Sequence, residues 1–116
     1  MTIDFSLQTG RKLSINERDR FLMLDYSDIL FFESNGNLLF VFSSLYDSPV
    51  CYSHSLSKLE TELEPFGFLR IHNKWIANMR HVVKIDRHKH QIHLVNGKIL
   101  EVSRRKWQKL RMFCKN

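Results

Sequence analysis

The sequence is poor in the residues that mark disulfide-linked, nucleotide-binding and membrane proteins. It has two cysteines and four isolated glycines among 116 residues. Cys51 and Cys114 form no pattern that requires a disulfide bond, and the scattered glycines leave no glycine-rich phosphate loop. No apolar run approaches the ~18 to 20 residues of a membrane-spanning helix, and no signal-peptide pattern opens the chain. We therefore expect a cytoplasmic protein with reduced thiols.

Patterns for catalysis and metal binding are also lacking. No Ser-His-Asp or Cys-His arrangement is evident in the sequence. His81, His88, His90 and His93 lie near one another, but their spacing matches no zinc pattern and no cysteine pair accompanies them. The sequence therefore predicts no enzyme, no metal site and no cofactor. The role of the four histidines stays open at this point.

The charged residues are divided unevenly along the chain. Positions 70–116 contain 13 Lys or Arg and 2 acidic residues, whereas positions 1–69 contain 5 basic and 10 acidic ones, so net charges of +11 and −5 make up the total of +6. A one-sided positive excess repels itself unless a polyanion binds to it. Nucleic acid is the first candidate for that polyanion, and an anionic membrane surface is the second.

Short β-prone runs dominate the chain and predict a mostly β fold. Asn-Gly pairs at positions 35–36 and 96–97 each lie between two such runs. Asn-Gly between apolar runs is a strong hairpin signal, because a type I′ turn needs positive φ at both central residues. We therefore expect two hairpins, with Leu94 opposite Ile99 in the second.

Two helices are predicted, one in the middle of the chain and one at its C-terminal end. Leu56, Leu59 and Leu63 share one helical face, and Pro65 ends that helix. Its outer face is acidic, and we expect this face to point away from any polyanion. The second helix follows Ser103, which suits an N-cap.

Three consecutive cations, Arg104, Arg105 and Lys106, occupy a predicted loop that enters the first turn of the C-terminal helix. The helix dipole favours negative charge at that end. The cluster therefore indicates that an anion from outside the chain binds there.

Polar side chains suited to nucleic acid lie at three predicted turns. Phosphates need cations or N–H donors, and base edges need amide or forked guanidinium groups. The first turn has Asn35 and Asn37, the second has His72, Asn73 and Lys74, and the third has Arg104 and Arg105. If these turns converge along one side of a β scaffold, they reach consecutive grooves of DNA.

A series of motifs carries a family resemblance from about Phe21 to Phe113. The series consists of DILFFES at 28–34, the leucine helix, GFLRIHN at 67–73 followed by Asn78, Asn-Gly at 96–97 and VSRR at 102–105. In this order the motifs resemble the LytTR DNA-binding domain of bacterial response regulators. The specific combination is Phe-x-Arg-x-His with an asparagine six residues after the histidine, then Asn-Gly and Ser-Arg-Arg.

The resemblance implies a fold, a function and roles for nine residues. The fold would be mostly β and elongated, with small antiparallel sheets, one mid-chain helix and one C-terminal helix. The protein would be a sequence-specific transcription regulator that reads successive grooves of double-stranded DNA with loops. Base contacts would come from Asn35, Asn37, Asn73 and Arg105. Phosphate contacts would come from Arg70, His72, Lys74, Arg104 and Lys106.

The resemblance also divides the chain and suggests partners. Residues 15–116 would form the DNA-binding domain, and residues 1–14 a tail or an edge strand around Phe5 and Leu7. Lys74 replaces a usual serine, and Ala77 a common valine. The chain has no room for the receiver domain that family members commonly carry, so it is either a stand-alone regulator or a segment of a longer one. Without a receiver domain, we expect control by abundance or by a partner such as a membrane protein. We expect a monomer that pairs on direct repeats in promoters.

Other functions would use the same basic face. The alternative is a protein-interaction or anionic-membrane-surface module without sequence-specific DNA binding, for which only Trp107 and Phe113 offer aromatic anchors. RNA binding is a third option, but no exposed aromatic platform is evident.

Overall fold

The computed structural model describes residues 12–114, which form ten strands and two α-helices. The strands are β1 (Lys12–Asn16), β2 (Phe21–Asp25), β3 (Ile29–Asn35), β4 (Leu38–Ser43), β5 (Val50–Ser53), β6 (Phe68–Arg70), β7 (Trp75–Asn78), β8 (Val82–Asp86), β9 (Gln91–Leu94) and β10 (Ile99–Glu101). The helices are α1 (Leu56–Leu63) and α2 (Arg104–Cys114). The molecule measures 49 × 32 × 25 Å. The predicted fold, mostly β and elongated with two helices, is confirmed.

The strands of the described residues form three antiparallel sheets. β1 and β2 make a two-stranded sheet, and β10, β9 and β8 follow one another in a three-stranded sheet. The largest sheet has the order β5-β4-β3-β7-β6. Strand β6 therefore lies at one edge of the five-stranded sheet.

The five-stranded sheet lies between two hydrophobic cores. Phe32 and Ile76 belong to the first core, with α1 and the β1–β2 hairpin. Phe31 and Ala77 belong to the second, with the three-stranded sheet and α2. Successive side chains of a strand point to opposite faces of a sheet. The continuous apolar run at the start of β3 is therefore explained by burial on both faces.

Helix α1 matches its prediction. Leu56, Leu59 and Leu63 are buried on one face, and Oγ of Ser55 accepts a hydrogen bond from the Lys58 N–H at 3.3 Å. Ser55 is therefore the N-cap, which satisfies a main-chain donor at the start of the helix.

The first Asn-Gly hairpin is present, but its turn differs from the predicted type. Asn35 pairs with Leu38, so Gly36 and Asn37 are the two central residues. Gly36 has a φ of 64°, and Asn37 is not among the described residues with positive φ. Positive φ at the first central residue alone is the φ pattern of a type II′ turn rather than type I′.

The second hairpin has a three-residue loop, 95–97, in which Gly97 has a φ of 89°. The Leu94 N–H donates to the Lys98 carbonyl at 2.8 Å, and Ile99 lies opposite His93. The predicted pairing of Leu94 with Ile99 is wrong. A glycine that ends a three-residue loop moves the register by one residue relative to a two-residue turn.

At the N-terminal end, β1 crosses the domain boundary predicted at residue 15. Leu13 and Ile15 are both buried in the first core, so residues 12–14 pack with the domain. The predicted edge strand around Phe5 and Leu7 lies outside the described residues. Within residues 12–114, no helix has the length and apolar character needed to cross a membrane.

Candidate nucleic-acid interface

Main-chain hydrogen bonds join the three segments that contain the predicted contact residues. The Ser34 N–H donates to the Lys74 carbonyl at 2.7 Å, which fixes the β3–β4 hairpin to the loop at 71–74. The Ser103 N–H donates to the Ile71 carbonyl at 2.8 Å, which fixes the start of α2 to the same loop. The hairpin, the loop and the helix start therefore lie side by side, with the 71–74 loop in the middle.

Arg70 supports this loop from within the protein. Its side chain is 16% exposed. Nη2 donates to the Asn73 carbonyl at 2.8 Å, and Nε donates to the His72 carbonyl at 3.3 Å. Nη1 donates to Ser57 Oγ at 3.1 Å and lies 3.4 Å from Oε1 of Glu60. The guanidinium is thus occupied by the protein, in contrast to the phosphate contact expected from the sequence.

His72 is also held in place, but one of its ring nitrogens stays available. Nδ1 accepts from the Lys74 N–H at 3.1 Å, and the ring stacks on Trp75 with centroids 4.5 Å apart. The indole N–H of Trp75 donates to the Glu101 carbonyl at 2.8 Å. Because Nδ1 accepts, a neutral ring carries its proton on Nε2, which is a donor suited to phosphate.

The remaining residues of the hairpin and loop present free polar groups. Asn35, Asn37, Asn73 and Lys74 are exposed. Among residues 12–114, none of these four side chains takes part in a hydrogen bond or an ion pair. The loop backbone is therefore fixed by Arg70 and Ser34, while its amide and ammonium groups face solvent.

The start of α2 concentrates positive charge. Oγ of Ser103 accepts from the Lys106 N–H at 3.3 Å, which confirms Ser103 as a cap. Arg104 and Arg105 are exposed, and the first turn contains no acidic residue. These cations lie in the helical turn itself rather than in a loop before it. Lys106 is partly buried, and its Nζ is 3.9 Å from Oε2 of Glu60.

The acidic face of α1, which we expect to point away from any polyanion, contacts these cations through Glu60 and Glu64. Glu60 contacts Arg70 and Lys106, and its Oε2 is also 3.9 Å from Nζ of Lys109. Lys109 in turn lies 3.0 Å from Oε1 of Glu64. Helices α1 and α2 pack on opposite faces of the five-stranded sheet, and their charged side chains meet beside its edge strand, β6.

A family model described as the LytTr DNA-binding domain matches residues 19–115. The chain belongs to the LytTR family. LytTR is a DNA-binding family rather than a catalytic one, so the general function of the chain is DNA binding. No curated protein matches the sequence.

A solved LytTR structure supports the same fold. The chain is similar to the LytTr DNA-binding domain of a protein described as a methyl-accepting/DNA response regulator from Bacillus cereus. The sequence identity is 20%, the TM-score is 0.77, and the match covers 91% of this chain and 98% of that one.

The LytTR motif also contains a residue that serves the fold. Asn78 is 2% exposed. Its Nδ2 donates to the carbonyls of Tyr26 and Ile29, at 3.1 and 2.9 Å, and its Oδ1 accepts from the Arg80 N–H at 3.1 Å. The side chain therefore ties the end of β7 to the connection between β2 and β3.

One further turn of this LytTR domain, at residues 86–90, lies beside the interface, a position that the sequence did not predict. The Val102 N–H donates to the His90 carbonyl at 2.8 Å, and the His90 ring stacks on Trp107 with centroids 4.3 Å apart. The turn at 86–90 thus lies next to the start of α2, and it exposes Arg87 and Lys89. No local pattern reveals this, because the contact joins residues twelve positions apart.

Asp86 holds that turn in shape. Its Oδ1 accepts from the N–H groups of Lys89 and His88, both at 3.0 Å. These hydrogen bonds lower the pKa of the Asp86 carboxyl, and the bond from the Lys89 N–H has the larger effect.

The four histidines whose role was left open do not gather into one site. His81 Nε2 donates to the Ser27 carbonyl at 2.6 Å, and His90 stacks on Trp107. Within residues 12–114, no three His, Cys, Asp or Glu side chains are grouped closely enough to hold a metal ion.

Proposed function

We propose that the chain is a sequence-specific regulator of transcription that reads successive grooves of double-stranded DNA. The observation that carries this proposal is the pair of main-chain hydrogen bonds, Ser34 to Lys74 and Ser103 to Ile71. They hold three segments with exposed polar side chains beside one another. Membership of a DNA-binding family supplies the kind of partner.

Four residues are proposed to contact bases: Asn35, Asn37, Asn73 and Arg105. A carboxamide can pair with the N6 and N7 edge of adenine, and a guanidinium can bridge O6 and N7 of guanine. All four side chains are exposed. The main chain of Asn73 is held in place by Arg70, which binds its carbonyl.

The proposed phosphate contacts are Lys74, Arg104, Lys106 and Nε2 of His72. Arg104 and Lys106 lie in the first turn of α2, where free N–H groups and the helix dipole add to their charge. Arg70 is proposed to position the loop instead, since all its donor nitrogens are bound within the protein.

The proposal extends to the cellular setting. The regulator acts in the cytoplasm, binds direct repeats in promoters, and pairs on DNA from a monomer in solution. A protein partner, such as a membrane protein, sets its activity. Membership of a DNA-binding family supports the contact with DNA on which these proposals depend.

Arg105→Ala tests the base-reading role. We expect the variant to lose roughly 1 to 3 kcal/mol of binding free energy on a duplex selected by the wild-type protein from a random pool, because a bidentate base contact is removed. The loss of binding free energy on a scrambled duplex should be much smaller. Binding of both duplexes is measured by fluorescence anisotropy at one fixed salt concentration.

Arg111→Ala is the matched control, since Arg111 is exposed in the last turn of the same helix. It should change the two affinities by the same factor. Equal binding of selected and scrambled duplexes by the wild type across a salt series would contradict the proposal. Binding to anionic vesicles without duplex binding would instead favour a membrane-surface module.

A further inference from the structure

Glu60 links two parts of the interface without lying on its outer surface. It belongs to α1, and its carboxylate lies beside the edge strand β6. Oε1 is 3.4 Å from Nη1 of Arg70, and Oε2 is 3.9 Å from Nζ of both Lys106 and Lys109. One carboxylate therefore faces the cation that holds the 71–74 loop and two cations of α2.

We propose that Glu60 is a specificity-determining residue of the DNA interface. It positions the 71–74 loop relative to the start of α2, and it reduces the charge with which the basic face attracts any duplex. Glu60 touches no DNA and acts through Arg70 and the two lysines. This inference rests on the proposed DNA-binding function.

The positioning effect follows from the contacts of Arg70. A guanidinium presents its donors in a rigid planar fork, so a group that orients one nitrogen orients the others. Glu60 and Ser57 bind Nη1, while Nη2 and Nε hold the carbonyls of Asn73 and His72. The side chains of Arg70 and Glu60 are 16% and 22% exposed. Their contact is thus partly shielded from water, which strengthens it.

The charge effect follows from the lysine distances. Phosphate contacts add affinity for every sequence and carry no base information. Lys106 must leave the Glu60 carboxylate, or share it, to bind a phosphate, and Lys109 must leave both Glu60 and Glu64. A non-specific complex depends almost wholly on such contacts, whereas the specific complex also has base contacts. Ion pairing of these two lysines with carboxylates therefore weakens non-specific complexes with DNA more than the specific complex.

Glu60→Gln tests the charge effect, because it removes the charge and keeps the shape. Glu62→Gln is the matched control: it removes one charge from the same helix, and Glu62 is exposed and forms no ion pair with residues 12–114. Both variants are titrated with the wild-type-selected duplex and a scrambled duplex of equal length, between 50 and 200 mM salt.

We expect Glu60→Gln to bind the scrambled duplex more tightly than the wild type does. Lys106 is the lysine that the substitution releases, because Lys109 stays paired with Glu64 at 3.0 Å. If Lys106 then reaches a phosphate, the affinity lost over this salt range should increase by roughly 3.5-fold. The ratio of selected to scrambled affinity should fall several-fold. Glu62→Gln should leave that ratio and the salt slope as in the wild type.

Arg70→Lys tests the positioning effect independently. Lysine keeps the charge but cannot hold the two loop carbonyls together, so affinity for the selected duplex should fall while affinity for the scrambled duplex and the salt slope stay constant. Arg80→Lys, at an exposed arginine two residues beyond the end of β7, should change neither. Thermal melts followed by circular dichroism establish that each variant is folded.

The outcomes separate this inference from the proposed function. If the wild type selects no duplex from the pool, the proposed function fails and this inference fails with it. If the wild type discriminates but Glu60→Gln matches Glu62→Gln in ratio and slope, only the inference is overturned. If Glu60→Gln does not fold, the inference is overturned instead by a ratio of selected to scrambled affinity in Arg70→Lys that equals the wild-type ratio.

Discussion

At the scale of single residues, Asn78 shows that the LytTR motif includes a residue that stabilises the fold as well as residues of the interface. It follows His72 by six positions, yet its side chain is buried and makes three hydrogen bonds to main-chain groups. Buried amides are tolerated when their polar atoms are satisfied. Its place in the motif is thus explained by the support that it gives to the end of β7.

Asn78→Ala should lower the free energy of unfolding by about 2 to 4 kcal/mol, because each buried polar group left without a partner costs about 1 to 3 kcal/mol. The carbonyls of Tyr26 and Ile29 are the groups that lose their donor. Urea denaturation at fixed pH measures the change. Asn16→Ala, at the exposed end of β1, should stay within about 0.5 kcal/mol of the wild type. An equal effect of the two substitutions would contradict the structural role.

Residue types were easier to predict than residue partners. The sequence singles out Arg70 as part of a polar run, and we expected a phosphate as its partner. In the structure its partners are Ser57, Glu60 and the carbonyls of the following loop. Ser57 and Glu60 lie in a helix whose packing against β6 depends on the whole fold, so no pattern around position 70 indicates them.

At the scale of elements, the β3–β4 hairpin depends on the backbone of one glycine. Gly36 has a φ of 64°, and a Cβ added there would meet no atom within 4 Å. The cost of a side chain at this position is therefore conformational rather than steric.

Gly36→Ala should destabilise the domain by roughly 1 to 2 kcal/mol, the cost of a left-handed backbone for a residue with a side chain. Asn37→Ala, at the other central position, should cost less than about 0.5 kcal/mol. Thermal and urea unfolding of both variants measure the difference. Equal stability of the two variants would show that the turn does not depend on positive φ at residue 36.

The two hairpins show what the sequence can and cannot predict about the strands and turns. Each Asn-Gly pair correctly predicted a chain reversal between two apolar runs. The pairs did not predict the register, because the glycine is the first central residue of one turn and the last residue of a three-residue loop in the other. Turn length is decided by strand pairing and by the packing of each face, which involve residues far along the chain.

At the scale of the whole molecule, two cores share one sheet. The first core contains Leu59 of α1, whereas Trp75 and Trp107 pack against the second. Phe31 and Phe32 are neighbours in β3 but pack in different cores. Disruption of the five-stranded sheet would therefore disrupt both cores together. Unfolding should therefore be a single cooperative transition.

Leu59→Ala tests this coupling across the sheet. Removing a fully buried leucine should lower the free energy of unfolding by about 2 to 5 kcal/mol. Tryptophan fluorescence should report this whole decrease, although both tryptophans pack against the other core. Far-ultraviolet circular dichroism should give the same midpoint in urea. Separate midpoints for the two signals would show that the cores unfold independently.

The uneven charge along the sequence indicated a polyanion, with nucleic acid as the first candidate, and family membership gives DNA. The contacts between the acidic and basic parts of the chain were not predictable. Helix α1 alone shows an apolar face and an acidic face. Only the strand order, with β6 at the edge, brings Glu60 and Glu64 beside Lys109. Topology of this kind arises from long-range pairing, which local periodicity does not encode.

The two hydrogen bonds from Arg70 to the 71–74 loop end on carbonyl oxygens, which every amino acid has. The hydrogen bond that holds residue 73 therefore does not depend on the side chain at that position. If residue 73 contacts bases as proposed, a single codon change there would alter operator preference while the hydrogen bonds that hold the loop are kept.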